Sequence, residues 1–109
     1  MKRGEVWAAA GGADYAGKPR PVAIIQNDRF DSTKSVTVCS LTSVVVDADI
    51  LRLEVKPNSA NGLKVVSYLM VDKITTIPRV KLGRPIGKLD DVDLARLNEA
   101  IVTFLALEN

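Results

Sequence analysis

Arg20 is held between two prolines, in Lys18-Pro19-Arg20-Pro21, with a glycine-rich stretch before it and an apolar run after it. Pro19 and Pro21 restrict the backbone on both sides and keep the arginine extended. A guanidinium on so stiff a segment offers a fork of donors that matches a phosphate bidentately and stays charged at any ordinary pH. The alternative is a solvated arginine at the start of a strand. Ser40-Leu41-Thr42-Ser43 sets three hydroxyls in four residues at the end of another apolar run. These can bind phosphate or sugar, or satisfy backbone groups in a turn. Residues 73–88 carry five basic side chains (Lys73, Arg79, Lys81, Arg84 and Lys88) and no acidic one, whereas Asp90, Asp91, Asp93 and Glu99 follow with Arg96 alone. Base segregated from acid is either the footprint of a polyanion site or an ordinary solvated face. Of the few aromatics, Tyr68 and Phe104 fit a strand core and a helix core, while Tyr15 and Phe30 fall in loops and are the candidates for stacking on bases.

Composition narrows the chemistry further. The 109 residues contain no histidine, so a Ser-His-Asp triad, a Cys-His pair and the usual zinc sets are excluded. The lone Cys39 cannot form an internal disulfide, and its alternating surroundings (Val36-Thr37-Val38-Cys39) suit a buried, inert thiol in a reducing cytoplasm. Nothing approaches the ~18 consecutive apolar residues of a membrane span, and the N-terminus lacks the pattern of a signal peptide. The net charge of +2 is too small to argue for nucleic acid by itself. Length and the absence of an internal linker indicate one domain over residues 1–109.

The elements that must carry these residues are short. Period-2 alternation or short apolar runs predict strands over residues 4–9, 21–26, 36–41, 50–55 and 63–71, with 73–77 continuing or following the last. Residues 44–46 open a further turn or short strand. Gly11 to Pro19 is a loop by composition, and residues 56–62 are a strong turn signal. Only the C-terminus reads as a helix. Asp90 caps it, Asp91 and Asp93 favour its first turn, and Val92, Leu94, Leu97, Ile101, Phe104 and Leu105 form its apolar stripe. Five to seven short strands with one terminal helix favour a small barrel, mainly β.

The ordered motifs resemble the MazF/PemK toxin family. They are Arg3-Gly4-Glu5-Val6-Trp7, the glycine-rich loop, Arg20-Pro21-Val22 with Ile24-Ile25-Gln26-Asn27-Asp28, Leu41-Thr42-Ser43, Val71-Asp72-Lys73-Ile74-Thr75-Thr76-Ile77, and Ile86-Gly87-Lys88-Leu89 before the acid-capped helix. The resemblance implies an SH3-like β-barrel with a C-terminal helix, acting as a cytoplasmic homodimer. It also implies a sequence-specific endoribonuclease that cuts single-stranded RNA to a 2′,3′-cyclic phosphate and a 5′-hydroxyl, without metal or other cofactor, and that a cognate antitoxin inhibits. Arg20 and Thr42 match the family's catalytic arginine and threonine, and Asp14 falls where some members carry an assisting acid. Lys18, Tyr15, Phe30, Ser43, Asp72 and Lys73 are the expected RNA contacts. Met70 stands where the PemK branch has a catalytic arginine, so that branch's acid–base assignment does not carry over. The rival readings are a CcdB-like gyrase poison, against which the missing C-terminal Trp-Gly-Ile argues, and a non-catalytic SH3-like binding module.

Overall fold

The computed structural model describes residues 1–10, 18–45 and 51–108. Among the described residues, six antiparallel strands and one α-helix form. The strands are β1 (Glu5–Ala9), β2 (Arg20–Ile24), β3 (Ser35–Thr42), β4 (Arg52–Val55), β5 (Ser67–Pro78) and β6 (Leu82–Lys88), followed by the helix α1 (Asp91–Phe104). They form a single sheet in the order β4-β5-β3-β2-β1-β6. The sheet is open: β4 and β6 are its edges and do not pair with each other, so the hydrogen-bonded ladder does not close into the expected barrel.

A turn fills part of the space between the two edges. The Lys88 N–H donates to the Ala60 carbonyl across 2.8 Å, and the Leu89 N–H donates to the Gly4 carbonyl across 2.9 Å. Asn61 is fully buried and organises this turn. Its side-chain oxygen accepts from the Leu63 N–H at 2.9 Å, and its amide donates to the Lys56 carbonyl at 2.9 Å. Gly62 has φ +69°, and a Cβ there would lie 2.3 Å from the Ile86 carbonyl oxygen; a Cβ on Gly87 would lie 2.4 Å from the Asn61 backbone. Only glycines allow the turn to press on β6 this closely.

Each sheet face buries its own apolar cluster, because side chains alternate along a strand. The larger cluster contains Val6, Ala23, Cys39, Leu41, Leu69 and Val71, and it is covered by α1 through Leu97, with Leu94, Ala100 and Ile101 packed against it. The smaller contains Ala9, Val22, Ile24, Val36 and Val38, flanked by Trp7 and Ile77. Asp90 caps α1 as its sequence indicates, its carboxylate accepting from the Asp93 N–H at 2.8 Å. Arg96 donates across 2.8 Å to the Glu54 carbonyl, shielding part of the β4 edge.

Several expectations change. Leu63 to Val66 precede β5 instead of belonging to it, and residues 67–78 form one continuous strand. Residues 44 and 45 are not strand. Val92 and Phe104 are exposed, not core, residues (69% and 44%). Val92 lies about 140° around the helix from Leu97, and Phe104 closes the last turn beyond the cover of the larger cluster. Tyr68 is half-buried on β5. The strand β6 had no sequence signature because Gly83, Pro85 and Gly87 interrupt it; an edge position tolerates the proline, which has no N–H to offer a neighbour. No helix among the described residues is long and apolar enough to cross a membrane.

Candidate active site

The face of the sheet that α1 leaves uncovered carries a groove of about 360 Å³. Val22, Val38, Met70 and Ile77 make it apolar, and Arg20, Ser40, Lys73 and Lys81 bring its polar groups. Among the described residues, no carboxylate and no aromatic ring lines it. Its electrostatics are therefore cationic over an aliphatic base, and an anion with an apolar body suits it.

Strand register relates these residues to Thr42, which does not itself line the groove. In β2 and β3, Val22 is opposite Ser40, and continuing that register by two residues brings Thr42 across from Arg20. On its other side Arg20 pairs with Ala9 of β1. Arg20 is half-buried and interacts within the protein, so it is not loosely solvated. It also lines an adjoining depression with Lys64 and Arg84, so the guanidinium stands where two hollows meet. The Thr42 hydroxyl accepts from the Val44 N–H at 3.1 Å, which fixes its oxygen and leaves its own proton to donate.

A β-bulge brings in the lysine. Cys39 pairs with Ile74, yet Leu41 pairs with Leu69, so two steps along β3 correspond to five along β5. The three extra residues reverse the alternation of β5 opposite Ser40. Met70 and Lys73 consequently both reach the groove, although an undisturbed strand would send them to opposite faces. The intervening Val71 is buried in the larger cluster. Asp72 is turned away, ion-paired with Arg52 of β4.

The other expected contacts are placed elsewhere. Asp14 and Tyr15 lie outside the described residues. Lys18 and Ser43 are exposed and do not line the groove. Phe30 is 52% exposed in a single 3₁₀ turn after β2, beyond the end of the strand opposite Arg20, with the Arg29 guanidinium 5.4 Å from its ring centre. Lys81 is the cation the motif reading passed over, despite its place in the basic stretch. It occupies the 3₁₀ turn between β5 and β6, and its carbonyl accepts from the Ala10 N–H at 2.8 Å.

Cys39 adjoins Ser40 in sequence but belongs to the opposite face. It is fully buried, and its thiol is pushed up to about 12 by burial, aided by the Asp72 carboxylate and opposed by the Arg52 guanidinium. A protonated, inaccessible thiol is no nucleophile. Among the described residues no group of histidine, cysteine and carboxylate side chains could hold a metal ion.

Comparison with known proteins places the chain in a family. The family model for the PemK-like, MazF-like toxin of type II toxin–antitoxin systems matches residues 2–105. The chain is 48% identical over 107 residues to a probable endoribonuclease MazF of Mycolicibacterium smegmatis, covering 98% of each. Its fold is similar to the Mycobacterium tuberculosis toxin MazF-mt6, with TM-score 0.80 and 30% identity over 96% of this chain and 99% of that one. It also superposes on a mycobacterial endoribonuclease in complex with its cognate antitoxin, with TM-score 0.83 and 24% identity over 100% and 98% of the two chains.

Proposed function

The chain belongs to the PemK-like, MazF-like toxins of type II toxin–antitoxin systems and is an endoribonuclease of that kind; we propose that it cuts single-stranded RNA by metal-independent transesterification at the Arg20 groove. The observation that carries this reading is the placement of Arg20. It leaves the Pro19–Pro21 segment and enters a groove that it shares with Ser40, Lys73 and Lys81.

In this reaction the 2′-hydroxyl of the substrate attacks the adjacent phosphorus. The O2′–P bond forms and the P–O5′ bond breaks, and the departing O5′ takes a proton from solvent, leaving a 2′,3′-cyclic phosphate and a 5′-hydroxyl. The protein supplies neither nucleophile nor metal, which is compatible with a chain lacking histidine. Arg20 holds the charge that builds on the phosphorane oxygens, and its fork suits two of them. Its high proton affinity makes it a stabiliser, not a base. Thr42 donates to the phosphate or to the 2′-oxygen. We assign removal of the 2′-hydroxyl proton to Asp14, in the segment that leads to Arg20.

We also read the sheet, with its edges bridged by the Ala60–Lys88 hydrogen bond, as a variant of the SH3-like barrel. The active form on this reading is a cytoplasmic homodimer. Its inhibitor is a cognate antitoxin, a kind of partner that the superposed mycobacterial endoribonuclease has, and an acidic segment of it covers the lysines of the groove.

Incubation of the purified protein with a long single-stranded RNA in EDTA tests the activity. Cuts at defined sequences with 5′-hydroxyl ends are expected. Intact RNA would overturn the reading, and intact RNA with stalled gyrase would favour a gyrase poison instead.

A further inference from the structure

The groove's three cations come from three elements: β2, β5 and the turn that leads into β6. Arg20 is on β2. Toward one edge of the sheet, β3 comes next, with Ser40 opposite Val22 two residues along from Arg20, and then β5 with Lys73. Toward the other edge, β1 comes next, with Ala9 opposite Arg20, and then Leu82 of β6, opposite Ala9. Lys81 immediately precedes Leu82. In the strand order, Lys73 on β5 and Lys81 at the entry to β6 belong to elements on opposite sides of β2. Both lysines are exposed, and their long side chains line the same groove as Arg20.

We propose that the RNA backbone lies across the strands of this face, with the scissile phosphate at Arg20 and with Lys73 and Lys81 holding phosphates on opposite sides of it. The inference rests on the RNA-cleaving reading above. The groove's chemistry favours backbone contacts over base contacts, because ammonium groups attract phosphate regardless of sequence and no described aromatic ring is present for stacking. Val22, Val38 and Met70 form a buried aliphatic floor beneath the cations. The bulge in β5 matters because it is what delivers Lys73 to this face.

The test uses the full chain and a short single-stranded RNA centred on a cut mapped with the wild type. A 2′-deoxy nucleotide at the cut position allows binding but not cleavage. Affinity is measured against salt for wild type, Lys73→Gln and Lys81→Gln. It is then measured with one neutral methylphosphonate at a time on either side of the cut. Each lysine variant is expected to bind about tenfold more weakly at low salt and to flatten the logarithmic salt slope by about 0.7. A methylphosphonate on one side should erase the effect of Lys73→Gln alone, and one on the other side that of Lys81→Gln alone. If a single methylphosphonate erases both effects, the lysines share one phosphate and the transverse path is wrong. If neither variant changes affinity or slope while the wild type still cuts RNA, the path is wrong and the nuclease reading stands. A wild type that neither binds nor cuts RNA overturns both.

Discussion

Arg52 and Asp72 form an ion pair that ties the edge strand β4 to the bulge of β5, and both side chains are largely covered, at 11% and 29% exposure. Arg52 pairs in register with Met70, so its guanidinium spans the same extra residues that reorient Lys73. The carboxylate is thereby committed to holding the strand in its bulged path. A double-mutant cycle of Arg52→Ala and Asp72→Ala should give a coupling energy of about 1–2 kcal/mol, between exposed and buried pairs in strength. Because Lys73 follows Asp72 directly, Asp72→Ala should raise KM for RNA more than it lowers kcat.

Arg20→Ala should lower RNA cleavage at least 10²- to 10³-fold, roughly the cost of removing one transition-state donor. The variant should keep a cooperative melt. Arg20→Lys should restore little, because an ammonium point charge cannot grip two phosphate oxygens as the fork does. Single-turnover cleavage beside thermal denaturation checks both, and an active Arg20→Ala protein would sink the mechanism.

Cys39 should resist a maleimide at neutral pH in the native protein and react promptly once guanidinium unfolds it. Burial is the main cause, keeping the thiol protonated up to about 12 and away from solvent. Labelling followed by mass spectrometry reads the difference.

Glu5 gives a pH-dependent contribution to stability. Burial pushes its carboxyl up, but hydrogen bonds from the Lys2 N–H (2.8 Å) and the Trp7 indole N–H (3.0 Å) outweigh that and hold it below its ordinary value. A group depressed in the folded state stabilises above its unfolded pKa and loses that contribution as pH falls. Glu5→Gln should therefore be less stable than wild type by up to about 1 kcal/mol near neutrality. The gap should close on acidification below about 4.3, as measured by urea unfolding across pH.

Gly62→Ala should destabilise the fold by about 2–4 kcal/mol, combining a left-handed backbone with a Cβ driven into β6. The Ile86 carbonyl oxygen would be 2.3 Å away and is backbone, so it cannot swing aside. Chemical denaturation checks the magnitude, and a neutral substitution would mean that the turn does not press on the edge strand as described.

Much of this protein is written locally. The alternation in residues 36–41 and 50–55 depends only on which side chains water rejects. Asp90 and the helix stripe follow from unsatisfied N–H groups and the helical period, and the prolines around Arg20 fix its backbone without help from the fold. Local pattern has no means of marking β6, whose glycines and proline are acceptable only because a sheet edge asks little of them. It also cannot find the bulge, because three extra residues show as an excess only when β5 is laid against β3. Tertiary structure thus decided that Lys73 and Lys81, eight residues apart in the chain, line one groove with Arg20, and that Asp72 is occupied by Arg52. The physical reason is that strand register, which places a side chain on one face or the other, is settled between strands and not within them.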